Sequence, residues 1–182
     1  MRYSSIDVLR TFAIMVMIVV HFLENLSGTR DWSPDGFGAP LFALLTGVSY
    51  RLWLAVQESR HKADETILKI TIRRGLFLFG LGFVFNVFVW LPEDIFIWDV
   101  LNFIGTALIV LGFVRHLPQP VLILLIGLSL AISQPLQTLA DYPAYWTTGY
   151  FECDLTLSDV LLGFLVTGYF PLFPWIAFPM CG

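Results

Sequence analysis

Apolar residues run through this chain in blocks about as long as a lipid bilayer is thick, separated by short polar segments. A membrane-crossing helix needs about 20 mostly apolar residues at about 1.5 Å rise each. The blocks therefore predict five full spans: Val8 to Leu26, Phe37 to Val56, Ile70 to Leu91, Ile95 to Val114 and Pro120 to Leu139. Pro135, which has no N–H to give, is expected to kink or end the fifth. Beyond an acidic segment, Leu155 to Phe170 is too short for a full span. A short re-entrant or interfacial helix capped by Ser158-Asp159 is expected there. The proline- and aromatic-rich stretch that follows, with Trp175, suits the outer membrane surface, and a further span begins after it. The chain stops at Gly182 inside that apolar run, so the expectation is the N-terminal part of a longer protein. The fold class is all-α: a polytopic transmembrane helix bundle, read as one domain over residues 1–182.

Composition supports this reading. Of the 182 residues 57% are apolar and 13% charged, with a mean hydropathy of +0.78. Soluble domains carry about twice that share of charge. With 10 Lys+Arg against 14 Asp+Glu there is no basic field for nucleic acid. The two cysteines, Cys153 and Cys181, make neither a disulfide framework nor a metal-binding spacing. Asp7, Arg10 and His21, with no A-x-A-like site, argue against a cleaved signal peptide.

The position of each charge adds an orientation. Arg2 and Arg10 precede span one; Arg51, Arg60, Lys62, Lys69, Arg73 and Arg74 lie between spans two and three; Arg115 follows span four. All fall on one side of the bundle. The other side has Arg30 and most of the acids. Because translocating cations is disfavoured, the N-terminus is expected to be cytoplasmic.

Ionisable and polar groups inside apolar spans are the candidates for chemistry. At 100° per residue, Asp7, Arg10 and His21 share one face of span one. Arg10 lies at the cytoplasmic mouth, and His21 about 16 Å further along the axis. A long anionic donor held at Arg10 would reach the imidazole, which can exchange a proton near neutral pH. The plainer readings are a neutral His21 bonded to a neighbouring helix and an Asp7–Arg10 ion pair anchoring the helix. In span four, Asp99, Asn102 and Thr106 share a face. They either line an outer cavity, with Asp99 orienting His21 and Asn102 binding an acceptor, or form hydrogen bonds between helices. Arg73 and Arg74 are either ordinary positive-inside flanks or a phosphate clamp. No phosphate-binding glycine loop, CxxC or HExxH is present, and no metal is expected.

These residues, taken in order, resemble a known family. Ser5-Ile-Asp7-Val-Leu-Arg10 leading to His21, Gly38-Ala-Pro40 through Thr46-Gly47, Arg73-Arg74-Gly75 and Tyr169-Phe-Pro-Leu-Phe-Pro-Trp175 are similar to the heparan-alpha-glucosaminide N-acetyltransferase catalytic domain family, within the transmembrane acyltransferases. The resemblance implies transfer of an acetyl group from cytoplasmic acetyl-CoA to a sugar amine or hydroxyl on the far side. It implies that Arg10, with Arg73 and Arg74, binds the CoA phosphates and that His21 lies at the reacting end. There His21 acts as general base or as a covalent acetyl carrier. Animal lysosomal members place the histidine proposed as catalytic in the first non-cytoplasmic loop, and here Glu24 to Gly36 contains none. Either His21 substitutes or the acceptor differs. The expected setting is the bacterial cytoplasmic (inner) membrane, with a cell-envelope saccharide as acceptor. The bilayer is the expected partner, nucleic acid is not, and a homo-oligomer is compatible with the sequence. The rival readings are a transporter or permease with a His21, Asp99 and Asn102 relay, and a non-catalytic assembly or lipid-interaction module.

Overall fold

The computed structural model describes residues 4–27, 37–90, 95–142 and 156–182. The expected first outer loop and most of the acidic segment before Leu155 lie outside the described residues. Among them the chain is helical. Its elements are α1 (Ser4–Ser27), α2 (Gly38–Ser59), α3 (Asp64–Phe85), α4 (Val100–Val114), α5 (Gln119–Leu139), α6 (Leu157–Leu162), α7 (Leu172–Trp175) and α8 (Ala177–Cys181). Three apolar stretches are long enough to cross a membrane: Gly38–Ser59, Gln119–Leu139 and Leu157–Cys181.

Several boundaries differ from those the apolar runs suggested. Helix α1 starts before its apolar run, so Asp7 and Arg10 are within the helix and not at its mouth. Helix α3 begins at Asp64, where Asp64 and Glu65 complement the positive end of the helix dipole. At its far end it loosens into a π-helical turn over Asn86–Trp90. The fourth run is the largest change. Ile95 to Asp99 is not helical, Trp98 takes a left-handed φ of 53°, and the Asp99 carboxylate caps α4 by accepting from the Val100 N–H at 2.6 Å. The remaining 15 residues span about 22 Å, short of the roughly 30 Å hydrocarbon core. Apolarity marks burial, and it does not separate an apolar turn from a helix.

Pro135 neither ends α5 nor falls outside it; the helix continues to Leu139. The cap of α6 is Thr156, whose hydroxyl accepts from the Asp159 N–H, and not the Ser158-Asp159 pair. Helix α6 runs into a second π-helical turn, Gly163–Thr167, and the chain then breaks before α7 and again before α8. This proline-rich stretch is a packing element. Pro171, Ile176, Ala177 and Pro179 are buried, and Ile176 joins Ala43, Phe103, Ile104 and Ala107 in one core cluster.

The broadest helix pair is α3 with α4, and glycine makes it possible. A Cβ at Gly105 would lie 2.5 Å from the Phe79 amide nitrogen and 2.6 Å from the Gly75 carbonyl oxygen. Helix α8 lies as closely on α2, because a Cβ at Gly47 would sit 2.0 Å from the Pro179 carbonyl oxygen. Helix α1 packs against α2. A second cluster, Tyr50, Leu54, Ile67 and Leu111, ties α2, α3 and α4 together toward the end that carries the α2–α3 connection.

Candidate functional site

Four helices line an open-sided cavity of about 500 Å³, within the size range of small-molecule and cofactor sites. Helix α1 contributes Arg10 and Ile14, one turn apart. Helix α2 gives Thr46, Ser49, Tyr50 and Trp53, which share one face at helical spacing. Helix α3 adds Thr71, Arg74 and Leu78, and α4 adds Leu101, Ile104 and Leu108.

The charge of this cavity has one sign. Among the described residues two guanidinium groups line it, and no carboxylate does. Arg10 has Asp7 one turn away at 3.9 Å, with both side chains 42% exposed. That distance is long for an ion pair and leaves the Arg10 fork largely unengaged. The Arg74 guanidinium lies 4.8 Å from the centre of the Trp53 ring, a cation–π stack that holds the planar fork against the cavity wall. Tyr50 is tilted against the same indole, 5.9 Å between ring centres.

The neutral polar groups are equally ordered. Thr46 donates to the Phe42 carbonyl at 3.0 Å, Ser49 to the Leu45 carbonyl and Thr71 to the Ile67 carbonyl at 2.9 Å. Each hydroxyl hydrogen is thereby committed one turn back, leaving an oxygen that only accepts. The Tyr50 hydroxyl, in a residue 7% exposed, is buried and has no partner among the described residues.

The sequence-derived candidates separate on this geometry. Arg10 and Arg74 come together across the cavity; Arg73 is exposed and does not line it. Asn102 is 1% exposed and also lies outside the lining. Its amide donates to the Phe79 carbonyl at 2.9 Å, fitted against Gly82 in the α3–α4 interface. Asp99 caps α4. Thr106 donates to the Asn102 carbonyl within its own helix. His21 lies on α1, two turns beyond Ile14 and within about 20° of it around the axis; its side chain lies outside the described residues. No cluster of metal-binding side chains occurs among the described residues.

Tyr50, Trp53, Thr46, Ser49 and Thr71 were not singled out from sequence. A signal existed: Thr46, Ser49, Tyr50 and Trp53 fall at i, i+3, i+4 and i+7, a polar stripe on an otherwise apolar helix.

The order of the motifs finds its counterpart in a family model described as heparan-alpha-glucosaminide N-acetyltransferase, catalytic, which matches residues 2–182. The chain belongs to that family. No curated protein and no solved structure matches it. Membership in the heparan-alpha-glucosaminide N-acetyltransferase catalytic family, together with the apolar helices, makes this an integral membrane protein of an acetyltransferase family.

Proposed function

We propose that the protein transfers an acetyl group from acetyl-CoA, bound in the cavity between Arg10 and Arg74, to a sugar amine or hydroxyl on the opposite side of the membrane. The observation that carries the reading is the pair of arginines from separate helices lining one cavity to which the described residues add no carboxylate. Guanidinium forks suit phosphate oxygens, and the apolar remainder of the wall suits the donor's long arm. In this reading the N-terminus is cytoplasmic, and the acetyl thioester lies toward His21, about 16 Å from Arg10 along α1.

At that end His21 removes the acceptor's proton as the acceptor nitrogen or oxygen attacks the thioester carbonyl. The carbon–sulfur bond breaks and CoA leaves as the thiolate. A bacterial cell-envelope saccharide is the acceptor class this reading favours, from the family resemblance alone. Asp99 and Asn102 need no part in the reaction, since capping and helix–helix bonding account for both.

Vesicles containing the full-length protein test the reading, with labelled acetyl-CoA on the cytoplasmic side and saccharide acceptors outside. Label should appear on the acceptor, and His21→Ala should lower its rate of appearance at least about a hundredfold. Equal transfer by the variant removes His21 from the mechanism. Label retained on the protein selects the covalent route. Movement of a solute without consumption of acetyl-CoA replaces the reading with transport.

A further inference from the structure

Outside the cavity, one apolar face of the molecule begins with a cation. Helix α5 has no ionisable residue, and the arginine of α1, Arg10, lines the cavity with Asp7 beside it. On α3, Lys69, Arg73, Phe77, Gly80 and Val84 follow one another every three or four residues and form a single stripe along the helix. All five positions are exposed, Phe77 to 68% and Val84 to 49%. A Cβ at Gly80 would meet nothing within 4 Å, so a shallow notch separates the two apolar side chains. Lys69 is already paired with Glu65 at 2.6 Å. Arg73 has no ion pair or hydrogen bond among the described residues.

The depth of Arg73 makes that charge costly. It lies nine residues inward from Asp64, about 14 Å along the axis. The contacts of Asp64 with Arg115 and His116 mark the polar end of the α3–α4 pair. Between that end and Arg73 the facing helix is apolar: a Cβ at Gly75 would meet Ile109, and one at Gly112 would meet Thr71. Phe113, nearer still to the polar end, is 63% exposed. A guanidinium at such a level is expensive unless its head finds an anion. Among the described residues no carboxylate pairs with it. The bilayer supplies the anion nearest that depth, the phosphate of a phospholipid.

We propose that this face of α3 seats an anionic phospholipid, its phosphate on the Arg73 guanidinium and an acyl chain in the notch at Gly80 between Phe77 and Val84. The guanidinium fork can donate to two phosphate oxygens at once. A zwitterionic lipid brings its own cation beside Lys69 and Arg73, so an anionic headgroup fits better.

The test is a titration of the purified full-length protein in detergent with two lipids of identical acyl chains, phosphatidylglycerol and phosphatidylcholine. Bound lipid is counted by native mass spectrometry. The wild type should bind phosphatidylglycerol about fivefold more tightly, the scale of one cation at an anionic surface. Arg73→Gln should bind the two lipids alike. Arg60→Gln, which removes an exposed cation of the α2–α3 turn, should keep the preference. Glycerol phosphate, the headgroup without chains, should not displace the bound lipid, because it leaves the apolar notch unfilled.

Equal affinity of the wild type for the two lipids overturns the proposal, as does binding of neither. A preference kept by Arg73→Gln also overturns it. So does one lost equally in Arg60→Gln, which would make it a property of the whole charged end. Displacement by glycerol phosphate leaves an anion site without a lipid and removes the proposal. If Arg73→Gln changes the oligomeric state, the face belongs to a contact between copies and not to a lipid.

Discussion

Arg73 and Arg74 are adjacent in sequence and differ by about 100° around the helix; both are exposed, and of the two only Arg74 lies over Trp53 and lines the cavity. Sequence alone treats them as equivalents, because a positive-inside flank and a phosphate clamp both read as basic pairs. Their difference is testable by titration calorimetry. Arg74→Ala should weaken acetyl-CoA binding by about tenfold or more, the scale of a charge-assisted hydrogen bond, while Arg73→Ala stays within about twofold. Arg74→Lys should restore little, since an ammonium keeps the charge but loses the planar stack. Equal effects at the two positions would contradict the geometry. The face shared by Arg10 and His21 was legible because ionisable groups are conspicuous in an apolar helix. Tyr50 was not, because a tyrosine in an apolar run reads as core, and in part it is core.

Helices α2 and α5 follow their apolar blocks, and the departures at the others have local causes. Asp99 drew attention as a carboxylate at the edge of an apolar run, which is also where a helix cap belongs; only the backbone turn at Trp98 separates the two. The structure distinguishes among the glycines of α3 and α4. Gly105→Ala should destabilise the protein by about 1–3 kcal/mol through overpacking, because the new Cβ meets backbone of the facing helix. Gly80→Ala, with nothing within 4 Å of the added carbon, should be neutral or stabilise by up to about 1 kcal/mol. Thermal unfolding in detergent separates the two.

The ends of α3 and α4 are also joined through Asp64. Its carboxylate meets Arg115 at 2.8 Å and His116 at 2.8 Å, and Arg115 donates to the Asp64 carbonyl at 3.0 Å. Desolvation acts to raise the Asp64 pKa. The hydrogen bond from His116 and the charge of Arg115 outweigh it and hold the carboxyl below its ordinary range. A depressed carboxylate pKa adds stability that is complete above the unfolded-state value and is lost as pH falls through the folded one. Melting temperatures measured across the acid range should show this loss in the wild type and a flatter curve in Asp64→Asn. Identical slopes would remove Asp64 from the acid response.

At the scale of the whole molecule, the charge asymmetry read from sequence gains a structural counterpart. The Asp64 contacts bring Arg115 to the same end as the exposed cations Arg60, Lys62 and Lys69 of the α2–α3 region. If that end is cytoplasmic, Lys62→Cys in a background lacking Cys153 and Cys181 should react with an impermeant maleimide from the cytoplasmic side alone. Labelling from outside would invert the orientation. The arrangement of the cavity was beyond the reach of sequence, because its walls come from positions as far apart as Arg10 and Leu108. One wall stands apart from the others. Helix α1 rests chiefly on α2, whereas the opposing arginine belongs to α3, so an anion held by both would act as a strut between elements that otherwise share little contact. Substrate would then complete the packing of the very helix that carries His21, and the amides of α1 would exchange with deuterium more slowly in the loaded protein than in the empty one.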